Sequence, residues 1–140
     1  MKSFTLIVIV CLFLLSCGPI NSRYKAQPTG SFAGYGYGEI STDGSNSAYT
    51  VHFLGTSTMH VEKVGLYAQF RCSELTKEHG LNYFIVDHED TVVNEYMTDQ
   101  AHTSYFVSKK IRMFQGTKPQ IANAFDADSL IALLTSQIER

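Results

Sequence analysis

The chain has 140 residues, 44% of them apolar, including nine Phe and eight Tyr, which suffices for one domain around a single buried core. Its 11 Lys and Arg against 13 Asp and Glu give a net charge of −2. The cations form no basic block that would hold a phosphate backbone, so nucleic acid is not an expected partner.

The first residues carry an address. Behind Met1-Lys2, an uncharged apolar run from Phe4 to Leu15 is too short to cross a hydrocarbon core of about 30 Å and has the pattern of a secretory signal. The run closes on Leu14-Leu15-Ser16-Cys17, which resembles the lipobox of bacterial lipoproteins. The resemblance implies that residues 1–16 are removed and that Cys17, the lipid attachment site, becomes the first residue and carries the acyl chains. Each buried methylene of such a chain contributes about 0.8 kcal/mol, so two or three chains on one residue anchor a protein durably. Gly18 follows where Asp usually signals inner-membrane retention, and this implies the periplasmic leaflet of the cell outer membrane. The cut takes Lys2 and no acid, leaving ten cations to thirteen acids and a net charge of −3. The expected partners are the lipid bilayer, through acylated Cys17, and an envelope protein or the cell wall within reach of it.

Of the three cysteines, Cys11 leaves with the signal and Cys17 is consumed by lipid. Cys72 then has no partner for a disulfide, and its position on the inner face of a helix predicts a buried, inert thiol. Residues 17–33 are polar, punctuated by Pro19, Pro28 and Gly30, and read as a lipidated flexible tether of about 50 Å fully stretched and about 20 to 25 Å as a coil. A single envelope domain is expected over residues 34–140.

That domain opens with Tyr35-Gly36-Tyr37-Gly38-Glu39-Ile40 and, past Asp43-Gly44-Ser45-Asn46, continues as Tyr49-Thr50-Val51-His52-Phe53-Leu54, the pattern of a β-hairpin. Tyr49, Val51 and Phe53 share one face, and Thr50 and His52 the other. The glycines at 34, 36 and 38 leave room for a large neighbour to lie against this edge. Thr56-Ser57-Thr58 offers capping hydroxyls for a helix from about Met59 to His79, in which Val61, Val64, Ala68, Cys72 and Leu75 form one stripe. Glu62 in the first turn, Lys77 and His79 in the last, and Gly80 after it complete the signature. Arg71 and Glu74, three apart, pair on its flank.

Leu81–Val86 is dense in aromatic and β-branched residues and reads as a central strand. Tyr105–Phe114 alternates, with Tyr105, Val107, Ile111 and Met113 on one side, as a long strand at the solvent edge. After a break from Gly116 to Ala124, Asp126 or Asp128 caps a last helix whose stripe is Leu130, Ile131, Leu133, Leu134 and Ile138. The order β-β-α-β-β-α predicts an α+β two-layer sandwich: a sheet of about four mostly antiparallel strands with two helices on one face.

Tyr67-Ala68-Gln69-Phe70-Arg71-Cys72-Ser73-Glu74-Leu75-Thr76, followed by Gly80-Leu81-Asn82-Tyr83-Phe84-Ile85-Val86, is similar to a small proteobacterial lipoprotein family of uncharacterised function. The ending Asp126-Ala127-Asp128 before an apolar helix also looks like theirs. Gly36-Tyr37-Gly38-Glu39 and Cys72 depart from that family's pattern. The resemblance implies a lipid-anchored envelope domain and brings no catalytic residues with it.

The one chemically dense stretch is Asp87-His88-Glu89-Asp90, with Glu95, Asp99 and His102 in what reads as a single long loop, 87–102. Such oxygen and imidazole donors suit a divalent ion, and a small metal-assisted periplasmic enzyme is the competing reading. No two donors have the i, i+4 spacing of a helical zinc site, and four charged residues after a strand are ordinarily a solvated turn. The other histidines are scattered, no Gly-x-Ser-x-Gly elbow exists, and Gly34–Gly38 precedes no helix, so neither a nucleophile nor a phosphate loop is assembled. A non-catalytic binding or structural module, with no cofactor, is the expectation.

Overall fold

Alternation of inward apolar and outward polar residues builds the first hairpin as expected. β1 (Gly36–Ser41) and β2 (Ala48–Leu54) pair antiparallel from Gly36↔Leu54 to Ser41↔Tyr49, joined by a turn in which Asp43 Oδ1 accepts from Ser45 N at 2.8 Å. The computed structural model describes residues 23–27, 35–97 and 101–140. β3 (Tyr83–Met97), β4 (Ala101–Phe114) and β5 (Ala124–Asp126) complete one sheet in the order β1-β2-β4-β3-β5, every neighbouring pair antiparallel. β2 and β3 therefore run the same way with β4 inserted between them.

Helix α1 (Val61–Glu78) crosses from the end of β2 back to the start of β3. Its C-terminus follows the sequence signal closely: Gly80 takes φ +71°, Gly80 N donates to Lys77 O at 2.9 Å, and Leu81 N donates to Thr76 O at 3.0 Å, a Schellman closure. Its N-terminus does not. The helix starts at His60 with no side-chain cap, and the hydroxyls of Thr56 and Thr58 bond each other at 3.0 Å one turn too early. Helix α2 (Ala127–Leu134), followed by a 3-10 turn (Thr135–Gln137), is capped by Asp126, whose Oδ1 accepts from Ser129 N at 2.7 Å. Leu134 is buried and Leu130, Ile131 and Ile138 pack on the core, whereas Leu133 turns to solvent.

Both helices cover the face of the sheet that carries Val51, Phe53, Val107 and Ile111, so the α+β two-layer arrangement holds. Three features differ from the sequence reading. A fifth strand, β5, pairs Ala124–Asp126 with Tyr83–Ile85; three residues are too few to carry a period. β4 lies in the middle of the sheet, with β2 on one side and β3 on the other, and not at its edge. Residues 87–97 are strand and not loop: β3 runs through the charges, with an irregularity between Val86 and His88 that absorbs Asp87, and pairs with β4 up to Met97↔Ala101.

The segment assigned to the tether also enters the fold. Tyr24 is buried, Tyr37 N donates to Lys25 O at 2.9 Å, Gln27 N donates to Tyr37 O at 2.7 Å, and Ala26 bridges Tyr37 in parallel. This is the large neighbour for which the glycines leave room. A Cβ on Gly36, which sits at φ +137°, would strike the carbonyl oxygen of Lys25. Gly38 makes room for the His52 ring, which would lie 2.6 Å from a Cβ there.

Candidate functional site

Two places concentrate ionisable groups, and the sequence pointed to only one. The first is the hairpin face around Asp87-His88-Glu89-Asp90. Strand geometry sends these four side chains to different sides, and each is paired close to home. Asp87 receives two hydrogen bonds from Arg112, at 2.6 and 2.8 Å, which hold its carboxyl below the usual range. Glu89 meets Lys109 at 2.6 Å, and His88 meets Asp90 at 3.0 Å. Glu95 stands eight residues along an extended strand from Asp87, about 26 Å away at strand rise, so it cannot converge with the others on one ion. Asp99 and Cys17 lie outside the described residues, and of His102 only the backbone pairing with Tyr96 is described. Among the described residues no group of three His, Cys, Asp or Glu could hold a metal. Beside this face an open groove of about 460 Å³ is lined by Gln69, Val86, Asn123 and Phe125 together with Asp87, His88 and Glu89.

Lys109 falls on the inner face of β4 beside Cys72, where alternation calls for an apolar residue. Glu89 across the hairpin compensates it. Cys72 itself is fully buried, and that burial pushes its thiol up to about 12, with the Lys109 charge opposing, so the nucleophilic thiolate is not populated at neutral pH.

The second place is centred on Arg71. Only 7% of its side chain is exposed, yet it faces three carboxylates. Its Nε and Nη2 reach Glu39 at 3.3 and 2.8 Å, its Nη1 and Nη2 reach Glu78 at 2.6 and 2.9 Å, and Glu74 stands 3.6 Å away. The guanidinium also lies 4.8 Å from the centre of the Tyr37 ring. Burial works against the cation, but the hydrogen bonds to Glu78 and Glu39 outweigh it and hold Arg71 charged. Glu74 is shared further: Tyr24 Oη donates to it at 2.6 Å and Arg140 Nη2 at 2.9 Å. Burial and this carboxylate together raise the Tyr24 hydroxyl well above its ordinary value.

The Arg71–Glu74 contact is legible from its i, i+3 spacing. Glu39, Glu78, Tyr24 and Arg140 were missed, because only the tertiary fold brings β1, the N-terminal segment and the C-terminus to this flank of α1. The assembly binds distant stretches together, and among the described residues no buried side-chain nitrogen or oxygen is left without a hydrogen-bond partner. Its chemistry is that of a clamp.

On the uncovered face of the sheet, His52 hydrogen-bonds Gln27 Oε1 at 2.9 Å and packs tilted against Phe106, with ring centres 5.3 Å apart and planes 31° from parallel. Burial lowers its pKa, with Glu39 opposing weakly. The folded state therefore binds fewer protons than the unfolded chain, whose His titrates near 6.5, between that value and the lowered one. Stability is expected to fall as pH drops through this window. Thermal melts from pH 8 to 5 check it: the wild type loses stability below about pH 6.5, and His52→Gln is flatter over the same range.

No protein-family model, curated protein or solved structure matches this chain.

Proposed function

We propose that the protein is a lipid-anchored lipoprotein of the bacterial cell envelope, acylated at Cys17, whose domain faces the periplasm as a non-catalytic binding or structural module. The observation that carries the reading is the uncharged run Phe4–Leu15 closing on Leu14-Leu15-Ser16-Cys17. Two facts from the fold support it. Of the side chains that suggested a metal-assisted enzyme, Asp87 is engaged with Arg112, Glu89 with Lys109 and His88 with Asp90. No helix among the described residues is long and apolar enough to cross a membrane.

Cell fractionation of wild type and Cys17→Ser tests it. The wild type is expected to stay with membranes through high salt and to incorporate labelled fatty acid. The Cys17→Ser protein, expressed at its mature length, is expected in the soluble periplasmic fraction. A Cys17→Ser protein that still pellets with membranes under high salt would show that the lipid is not the anchor.

A further inference from the structure

β5 covers only the first part of the outer edge of β3. It pairs with Tyr83–Ile85, Val86 N donates to Asn123 O at 3.0 Å, and Asn123 Nδ2 ends the pairing by donating to Val86 O at 2.8 Å. Among the described residues no strand pairs with that edge further along. The hydrogen bonds of β4 identify the backbone groups that stand open there. Met113 N donates to Ser47 O at 2.6 Å and Gly55 N to Tyr105 O at 2.9 Å, so the odd-numbered residues of β4 turn their backbone groups to β2. Their register partners on β3, Glu89 with Lys109, Thr91 with Val107 and Val93 with Tyr105, therefore turn N–H and C=O away from β4 to the free edge. Three exposed residues spaced two apart in this way are a template for one more strand.

The open groove of about 460 Å³ lies beside this edge, on the helix-bearing face. Val86 and Glu89 line it from β3, Phe125 and Asn123 from the β5 side, and Gln69 from α1. A residue paired with Glu89 would stand about 5.5 Å from it between Cα atoms, with its side chain on the same face of the sheet and so over the groove. Val86 and Phe125 offer apolar walls. Asp87 and Glu89 are the carboxylates of the lining, and no Lys or Arg lines it. The cations that pair with them, Arg112 and Lys109, reach them from β4. Glu89 keeps 47% of its side chain exposed despite Lys109, and a carboxylate has acceptor sites for a second donor. The side chain that complements this groove has an apolar stem and a cationic end, which is Lys or Arg.

We infer that this edge and groove bind an extended segment of a partner protein by strand addition, in line with β5 and antiparallel to β3, with a Lys or Arg opposite Glu89. The inference rests on the binding-module reading proposed above and not on the lipid anchor. Two and four residues before the cation, the segment places side chains opposite Thr91 and Val93, where β-branched residues pack best across strands. The segment therefore carries two β-branched residues and then a basic one, at alternate positions.

The test uses the mature-length Cys17→Ser protein in solution and the capped peptide Gly-Val-Thr-Val-Thr-Arg-Gly, read by amide hydrogen exchange. With saturating peptide, exchange at Glu89, Thr91 and Val93 is expected to slow several-fold, while Asp90 and Val92, whose amides face β4, stay unchanged. Replacing the peptide Arg by Glu is expected to weaken binding at least tenfold. N-methylation of its second Val keeps every side chain but removes the donor to Thr91 O, and is expected to abolish binding. Thr91→Pro makes the same cut from the protein side, since that N–H serves the free edge and not β4. No slowing at the three amides, equal binding of the Arg and Glu peptides, or binding that survives N-methylation overturns the inference. Slowing at the same amides that grows with protein concentration without peptide assigns the edge to a second copy of the chain and overturns it too. The fractionation of Cys17→Ser is untouched by any of these outcomes, so the groove and the anchor fail separately.

Discussion

Tyr24→Ala lowers the thermal unfolding temperature of the domain by about 15 °C, the shift that corresponds to about 4 kcal/mol in a domain of this size. The ring is 7% exposed and meets four others: Tyr37 at 4.7 Å, Phe70 at 5.4 Å, Tyr67 at 5.5 Å and Phe53 at 6.1 Å between centres. Removing it opens a cavity bounded by β1, β2 and α1, which cannot all close in. A chain shortened to begin at Gly34, where the composition changes, loses the same ring and in addition uncovers the edge of β1, so its loss is at least as large. Tyr24→Phe keeps the ring and gives up the bond to Glu74, at about 1–2 kcal/mol. Melts of residues 23–140 against residues 34–140 and the two point variants decide this. Equal stability of the long and short chains would show that the segment merely rests on the surface.

Arg71→Met is the second large effect, about 3 kcal/mol at neutral pH, toward the low end for breaking a buried ion pair because Glu78 is half exposed. The loss comes from stranding Glu39, Glu74 and Glu78 near one another without their shared cation. Arg71→Lys restores little, since one ammonium cannot offer paired N–H groups to Glu39 and to Glu78 together. The pH dependence separates this from simple cavity formation. In the wild type the hydrogen bond from Arg71 holds Glu78 below its ordinary value, so that stability is present above the unfolded carboxylate range and is lost as pH falls through the lowered folded value. In Arg71→Met that contribution of Glu78 is already absent, so acid costs the variant less. The gap in melting temperature between the two proteins therefore narrows from pH 7 to pH 3.5. A constant gap would assign the loss to packing and not to charge.

What could be read in the sequence was whatever repeats or whatever only one residue type can do. The stripe through Val64, Ala68, Cys72 and Leu75 declares a helix, and Gly80 declares its end because the φ there is positive. Val51 and Phe53 on β2, and Val107, Ile111 and Met113 on β4, declare the inner face by alternation. Residues 87–97 are not legible as a strand because dense charge ordinarily marks a loop. A strand solvated on both faces tolerates such charge, and a clue was present: Asp87, Glu89 and Asp90 stand opposite or beside Lys109, Lys110 and Arg112 at the spacing that antiparallel pairing demands. Tyr24 escaped for a different reason. A single aromatic in a polar stretch has no period, and what holds it comes from residues 37 to 139.

The backbone of Tyr24 donates from its N–H to Glu139 O at 2.6 Å, which makes the first described stretch and the last a single contact. Synthesis delivers residue 24 long before residue 139, so the hydrogen bond that joins them waits for everything between the two. Until then Tyr37, Phe53 and Phe70 wait with one wall of their pocket open, exposed to whatever aromatic or apolar surface is nearby. Hairpin pairing of β3 with β4 and the turns of α1 are local and precede this step, while closure across the ends carries the largest sequence separation in the fold and comes late. The domain is thus sealed by two stretches that lie far apart along the chain, in the manner of a knot drawn tight by a late length of cord.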